Sequence, residues 1–314
     1  MRDRLSSRLF YDGTPYADRP PTAADFEALT QADVIGFYTR CYVPSGAVLG
    51  IVGDVRSSEM LALASREFSG WPAGAGPPPL PSGRSLPKTA SRIALADWKY
   101  ATNSILTFQC LGVSRSDPDF LPLIVTNQIL GGYSSGRLNQ NLRESQGYTY
   151  SASSSLDAPS WPGLWSAHVR VPVEDTCATV DTVLGELRRL REEPVPPAEM
   201  ARAKQSLIGG ETLVLEQPEA LLGRTAEVYE FGLPPDYWGT YPAHVQAVTA
   251  ADVRRMANKY FADGRVQIIA LGPRPKIERV LGRYGPVDDY DDRGYAAQDR
   301  KAGGGGLPAW LHAF

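Results

Sequence analysis

The chain has 314 residues, of which 43% are hydrophobic, and its formal net charge at pH 7 is −3. This length predicts one or two globular domains. The slight acidity, with Lys and Arg scattered along the chain, excludes the basic patch of a nucleic-acid-binding or anionic-membrane-binding protein. No run approaches the ~20 apolar residues that cross a bilayer, so we expect a soluble protein and favour the cytoplasm.

The three cysteines, Cys41, Cys110 and Cys177, show no CxxC spacing, which predicts small buried side chains rather than disulfides or a zinc cluster.

Two Pro/Gly-rich stretches divide the sequence. The first covers residues 73–90 and is interpreted as a linker between residues 1–72 and residues 91–285. The second predicts a disordered tail over residues 286–314. Its acidic run lacks the spacing of a calcium-binding loop, so no metal site is assigned to it.

Apolar patterns predict the secondary structure between these breaks. Strands are predicted at residues 47–52, 92–98, 104–111, 148–156, 164–171 and 266–271. Helices are predicted at residues 119–130, 135–145, 173–191, 197–216, 218–231, 237–247 and 250–261, the last with Thr249 as its N-cap. Because the strands come in hairpin-like pairs followed by several helices, we predict an α+β fold with helices packed on a mainly antiparallel or mixed sheet.

An internal repeat is the most informative feature of the sequence. Leu29–Val34 (LTQADV) matches Val248–Val253 (VTAADV), and Leu49–Gly53 (LGIVG) matches Ile268–Gly272 (IIALG). Both pairs have the same offset, since 249 − 30 = 219 and 272 − 53 = 219. The repeat predicts tandem homologous domains. Residues 1–72, before the linker, would be the C-terminal part of a first domain, and residues 91–285, after it, would be a complete second domain. The same offset places the start of the first domain near 91 − 219 = −128, so we expect a two-domain protein to have about 130 further residues upstream.

Five segments have a characteristic order and spacing along the chain. They are Tyr11–Tyr16, Leu29–Tyr42 followed by Ile51–Asp54, Asn127–Ser135, Asn141–Ser151 and Glu199–Glu216. Over about residues 8–285 this order resembles the insulinase/pitrilysin zinc metallopeptidases, which include mitochondrial processing peptidase. The resemblance implies tandem α+β domains and a peptide substrate.

Zinc in that family is bound by a helical H-x-x-E-H motif in the first domain together with a further glutamate. The histidines of this sequence are His168, His244 and His312, and no two are three or four residues apart. We therefore predict no cofactor on this chain, no stoichiometric zinc and no peptide hydrolysis by the chain alone. The resemblance implies zinc in a completed enzyme, supplied by a homologous partner subunit or by an N-terminal half that this sequence lacks.

The later domain of that family contains an arginine and a tyrosine seven residues apart. Arg143 and Tyr150 match this pair. The resemblance implies that they hydrogen-bond a substrate carbonyl and stabilise the oxyanion, with Gly147 forming the turn between a helix end and a strand. Spacing alone favours a surface ion pair for Arg143 and a buried Tyr150 with a satisfied hydroxyl. The resemblance reverses that preference.

Two alternatives stay open. A non-catalytic binding or scaffold subunit would also carry the arginine and tyrosine without metal ligands. The run Gly132–Gly136 (GYSSG) fits the G-x-S-x-G elbow of serine hydrolases, but the residues before it have a helical pattern. Ser134 and Ser135 are therefore interpreted as helix N-caps in a helix–helix turn.

Overall fold

The computed structural model describes residues 2–11, 14, 16–17, 23–74, 76, 92–214 and 216–291. The predicted linker at residues 73–90 lies almost wholly outside the described residues, and so does the predicted tail from residue 292 onward. No described helix is long and apolar enough to cross a membrane.

Within the described residues, the centre of the fold is one six-stranded mixed sheet with the strand order β3-β4-β2-β5-β1-β6. The pairs β3/β4, β4/β2 and β2/β5 are antiparallel, whereas β5/β1 and β1/β6 are parallel. This architecture confirms the predicted α+β class. The strands are β1 Ile93–Asp97, β2 Asn103–Leu111, β3 Ala152–Leu156, β4 Leu164–Pro172, β5 Gln267–Gly272 and β6 Val287–Tyr290.

Helices make up most of the remaining regular structure, and α10 has the bounds that the apolar pattern predicts. Wide π-helical turns follow α5 at Gln128–Gly132 and α6 at Gln140–Ser145, where the pattern predicts continuous helices. The helices are α1 Arg2–Tyr11, α2 Ala23–Ala28, α3 Gln31–Cys41, α4 Ser57–Glu67, α5 Phe120–Asn127, α6 Arg137–Asn139, α7 Thr176–Glu192, α8 Pro197–Val214, α9 Pro218–Glu230, α10 Tyr237–Ala247, α11 Ala250–Tyr260 and α12 Arg274–Leu281.

The main core lies between one face of the sheet, the front face, and helices α5, α7 and α11. Val253 and Met256 on α11 are fully buried because α11 packs against α5 and α7. Trp165 of β4 is also fully buried, stacks at a tilt on Phe261 with ring centroids 4.6 Å apart, and donates from Nε1 to Oδ1 of Asn127 at 3.0 Å. The bonded indole nitrogen allows this large aromatic side chain to be buried without an unpaired polar atom.

Asp119 ties α11 to the start of α5. Its Oδ1 accepts from Nη1 of Arg255 at 2.7 Å, and its Oδ2 accepts from Nζ of Lys259 at 2.6 Å and from the hydroxyl of Tyr260 at 3.2 Å. Burial of the Asp119 carboxyl raises its pKa, but the hydrogen bonds and charges of Lys259 and Arg255 outweigh burial and hold the pKa below its usual value.

The opposite, back face of the sheet is covered by α1, which lies before the predicted linker in the chain. Ser6 Oγ donates to Oε1 of Gln109 at 2.7 Å, and the Tyr11 hydroxyl donates to the carbonyl oxygen of Pro162 at 3.0 Å. Helix α1 is therefore held on the sheet by hydrogen bonds and apolar packing, in addition to its covalent connection through the linker. The cluster on the back face consists of Leu5, Leu9, Ala94, Ala96, Ile105, Ile269, Leu271 and Tyr290.

The 219-residue offset extends from the sequence to the bounds of the helices. Helices α3 and α11 each have 11 residues, and their first and last residues differ by 219. Thr30 and Thr249 form the same capping box, with φ/ψ of −100°/161° and −101°/165°. The last residues of α1 and α9 also differ by 219 (230 − 11), as do those of α2 and α10 (247 − 28).

The structure overturns one predicted strand. Residues 47–52 have irregular backbone, although their counterparts form β5. A strand needs a hydrogen-bonded neighbour, and no described strand lies beside these residues.

The structure also adds a strand that the sequence prediction assigned to the tail. Val287–Tyr290 form β6, which pairs with β1, and Tyr290 is buried. Its two aspartates are neutralised, because Asp288 accepts from Nη2 of Arg92 at 2.6 Å and Asp289 pairs with Arg274. The acidic run is thus partly a paired edge strand rather than a solvated tail.

Candidate functional site

A groove of about 630 Å³ opens to solvent between the end of β4 and the segment 147–151, which leads into β3. It brings together both residues that the sequence singles out, Arg143 and Tyr150, with a second guanidinium, that of Arg170. Arg170 has no ion pair within the described part of the chain. The lining residues are Asn103, Arg143, Gly147, Tyr148, Thr149, Tyr150, Ser151, Arg170 and Pro172.

Arg143 reaches the groove from the wide turn Gln140–Ser145, whose Leu142 is fully buried. Gly147 follows with a φ of 68°, a conformation that a residue with a Cβ adopts only at a cost. The predicted turn at Gly147 is confirmed. Tyr150, however, does not lie in a strand, because β3 begins at Ala152.

Thr149 holds the segment between Gly147 and β3 against the sheet. Its Oγ1 donates to the carbonyl oxygen of Arg170 at 2.7 Å and is also 3.0 Å from the carbonyl oxygen of Ser151. Tyr150, the next residue, is 94% exposed, which rules out the buried tyrosine that spacing alone favours and agrees with the accessible side chain that the resemblance implies. The phenol is available to a ligand in the groove.

Arg143 is also accessible. Its side chain is 48% exposed, and its Nε lies 3.3 Å from Oε1 of Glu144, which is exposed as well. An ion pair between such exposed groups is worth at most about 1 kcal/mol, so a ligand can compete for the guanidinium. No hydrogen bond joins Arg143 to Tyr150 within the described residues, and each presents its polar group to the groove separately.

A buried charge network supports the turn from behind. Arg137 binds both carboxylate oxygens of Glu199 at 2.7 and 2.9 Å, and its Nη1 lies 3.6 Å from Oε2 of Glu186. Glu186 also accepts from Nδ2 of Asn141 at 2.8 Å. Because Asn141 belongs to the turn that carries Arg143, these bonds fasten the turn to α7 and α8.

The GYSSG run does not form a nucleophile elbow. Helix α5 and a π-helical turn precede it, whereas an elbow requires a strand. Ser134 and Ser135 do not cap the next helix either, because the N-cap of α6 is Gly136. The carbonyl oxygen of Ser134 instead accepts from Nδ2 of Asn139 at 2.7 Å.

Metal-ligand residue types are not grouped within the described residues. His168 lies on β4, where its Nδ1 is 3.2 Å from Oγ1 of Thr107, and His244 is exposed on α10. His312 lies outside the described residues. Across the described part of the chain, no group of three or more His, Cys, Asp or Glu could hold a metal ion.

Asn103 and Arg170 are groove residues that the sequence prediction missed. They lie on the paired strands β2 and β4, so only the pairing brings them to the 147–151 segment. The available signal was the alternation in β4, where Arg170 is the exposed residue between buried Val169 and Val171.

Residues 28–207 match the family described as the peptidase M16 inactive domain. The chain is 26% identical to an uncharacterized zinc protease of Streptomyces coelicolor, over 92% of this chain and 61% of that protein. It is 26% identical to the β subunit of the mouse mitochondrial-processing peptidase, over 82% of this chain and 53% of that subunit. The chain thus spans little more than half the length of these relatives. A crystal structure of a peptidase M16 inactive domain from Pseudomonas fluorescens has the same fold, with a TM-score of 0.78 and 23% identity over 87% of this chain and 65% of that one.

Proposed function

Since the chain belongs to the peptidase M16 family through its match to that family's inactive domain, we propose that it supplies substrate contacts to a zinc peptidase. The zinc site would be carried by another part of the assembly, either a homologous subunit or an upstream segment. The observation that carries the proposal is the meeting of Arg143 and Tyr150 in one open groove.

Neither side chain has a role in the core that would explain its presence. Tyr150 is almost fully exposed, and Arg143 makes an exposed ion pair. Their backbone, in contrast, is fastened by Thr149, by buried Leu142 and by the network around Glu186. Accessible polar groups on a fixed backbone are typical of a binding site.

A guanidinium and a phenol are suited to a peptide carbonyl. Both donate hydrogen bonds, and both would stabilise the negative charge that develops on the carbonyl oxygen during hydrolysis. A donor placed in advance for this purpose contributes ~3 kcal/mol, or about 100-fold in rate. The described residues do not offer a zinc ligand set, so the proposal assigns no step to a metal on this chain.

A second candidate function is that of a non-catalytic scaffold subunit. It is favoured by the ion pair between Nε of Arg143 and Glu144, which gives the guanidinium a partner within the chain. In that case the groove would contact a partner or bind a peptide without contributing to its cleavage.

The test combines this chain with a zinc-bearing M16 subunit, or with an upstream extension that carries the zinc site, and measures cleavage of an unstructured peptide. Arg143→Ala and Tyr150→Phe are each expected to lower kcat about 100-fold, with the melting temperature and the zinc content unchanged. Tyr100→Phe is the matched control, because Tyr100 is also exposed but does not line the groove. Unchanged turnover in both groove variants would assign the chain to the scaffold function.

A further inference from the structure

Arg170 is the charged group of the groove to which the proposed function gives no role. It is the only Lys, Arg, Asp or Glu residue on the paired strands β2, β3 and β4. Arg170 is exposed, whereas Val169 and Val171 on either side of it are buried. An isolated charge on three such strands is not part of a generally charged surface.

The backbone of Arg170 is fixed, although its guanidinium is free to bind. Arg170 is paired with Ile105 in the ladder between β4 and β2. Its carbonyl oxygen accepts from Oγ1 of Thr149 at 2.7 Å, which joins it to the segment that carries Tyr150. Within the described residues no ion pair or hydrogen bond engages the guanidinium. A ligand can therefore bind it without breaking an internal bond.

The groove is locally basic, although the chain as a whole has a net charge of −3. The charged side chains among the described residues that line it are those of Arg143 and Arg170. Glu144 contacts Nε of Arg143 but does not line the groove, and neither do Glu174 and Asp175, which follow β4. The positive charge of Arg170 is thus the one that remains uncompensated there.

A guanidinium is suited to a carboxylate, because its planar fork can donate two parallel hydrogen bonds to the two oxygens. Such an ion pair forms with the bound substrate and is the same in the transition state. It therefore strengthens binding rather than turnover, in contrast to donors aimed at a developing oxyanion.

We propose that Arg170 is a specificity-determining residue, which selects peptides with a carboxylate near the carbonyl that Arg143 and Tyr150 contact. The carboxylate belongs either to a Glu or Asp side chain or to the C-terminus of the peptide. The inference rests on the proposed function in taking the ligand of the groove to be a peptide.

The first measurement is peptide binding to the full chain by saturation-transfer NMR, which detects weak binding and requires no zinc. The probes are short capped peptides of Ala and Ser in which a Glu, or a Gln for comparison, is moved through every position. The same uncharged peptide with a free C-terminus distinguishes a terminal carboxylate from a side-chain carboxylate. At its best position the carboxylate should strengthen binding about 10-fold, because hydrogen bonds to charged groups have this strength.

Substitutions of Arg170 test whether it is the source of this preference. Arg170→Gln should reduce the preference to less than about 2-fold, and Arg170→Lys should retain only part of it, because an ammonium lacks the planar fork. Arg188→Gln is the matched control, because Arg188 is exposed on α7, does not line the groove and carries the same charge. Circular dichroism checks the fold of each variant.

Three outcomes of the binding experiment would overturn the proposal. The first is equal binding of the Glu and Gln peptides at every position, with no gain from the free C-terminus. The second is an equal loss of preference in Arg188→Gln, which would indicate the charge of the whole chain. The third is a preference that survives Arg170→Gln but is lost in Arg143→Ala, because Arg143 would then bind the carboxylate.

Kinetics in the assembly with a zinc-bearing subunit separate this proposal from the proposed function, and they decide the matter if binding to the chain alone is too weak to measure. Arg170→Gln should raise KM for the preferred peptide about 10-fold and leave kcat unchanged, whereas Arg143→Ala and Tyr150→Phe should lower kcat. If kcat is unchanged in the latter two while the preference depends on Arg170, only the proposed function fails. If kcat falls in both and the carboxylate affects neither binding nor KM, only the role of Arg170 is wrong.

Discussion

Helices α3 and α11 have the same length, the same N-cap and an equivalent apolar stripe, yet no side chain of α3 is buried and four of α11 are. The comparison teaches that a short helix can have its local structure determined by its own sequence while its stability depends on what packs against it. The same difference separates residues 47–52 from β5. Here the local pattern is insufficient, because a strand is formed only with its neighbours.

Hydrogen exchange should give the largest difference between the two regions. Amides of residues 269–271 in β5 should exchange only through near-global unfolding, whereas those of residues 50–52 should exchange almost as fast as in an unfolded peptide. The expected ratio of protection factors is about 1000-fold or more, since global unfolding of a domain costs ~5 kcal/mol or more. Mass spectrometry of peptic fragments measures both in one sample. Comparable protection would mean that residues 47–52 are paired in the chain alone.

Truncation of matched side chains should give the next largest effect. Met256→Ala should lower the free energy of unfolding by about 2–5 kcal/mol, because it leaves a cavity in the core. Phe37→Ala, at the counterpart position, should change it by less than about 0.5 kcal/mol, because Phe37 is about half exposed. Urea unfolding followed by circular dichroism measures both values. A cost for Phe37→Ala as large as that for Met256→Ala would show that the Phe37 side chain is already covered in the chain alone.

The capping boxes offer a finer comparison. Thr249→Ala should lower the free energy of unfolding by about 1 kcal/mol, because the Asp252 N–H loses its acceptor and α11 is part of the core. Thr30→Ala removes the equivalent bond to Asp33 but should affect only local opening of α3. Denaturation and exchange of the first-turn amides distinguish the two outcomes. Thr249→Ser keeps the hydroxyl and serves as the control.

The smallest expected effect is a pH dependence of the unfolding free energy, which arises from Asp119 between α5 and α11. The pKa of Asp119 is lowered in the folded chain, so the unfolded chain binds its proton first as the pH falls. The stabilisation is therefore present above the unfolded pKa of about 3.9 and is lost as the pH falls through the lower folded pKa. Asp119→Asn should flatten the slope of unfolding free energy against pH between about 5 and 3. An unchanged slope would remove Asp119 as its source.

Several elements could be predicted from the sequence because their signals are local or strongly periodic. Apolar and polar residues alternate in β2 and β4, and α10 and α11 have clear apolar spacing, so their predicted bounds agree with the structure within about two residues. β6 could not be predicted, because two of its four residues are aspartates and their compensation by Arg92 and Arg274 is a long-range contact. The apolar pattern at residues 47–52 predicted a strand, as it did for β5. A strand also needs hydrogen-bonded neighbouring strands, and the local pattern carries no information about them.

The candidate site was predictable to a similar degree. Arg143, Gly147 and Tyr150 lie within eight residues, so a local motif was sufficient to find them and the turn between them. Asn103 and Arg170 are contributed by strands that the pairing of β2 with β4 brings to the same place. The resemblance implied an accessible Tyr150, whereas spacing alone favoured a buried one; the pattern did not predict that β3 begins only at Ala152.

The packing of α1 on the back of the sheet has a consequence for how the chain folds as it is synthesised. Leu5 leaves the ribosome 266 residues before Leu271, with which it clusters (271 − 5 = 266). At ~5–20 residues per second, roughly 13–53 s separate the two events. A ten-residue helix is not stable alone in water, so α1 has no fixed position during that interval. Helix α1 is thus made well before β5, which it covers, and its docking on the back of the sheet waits until β5 has been made.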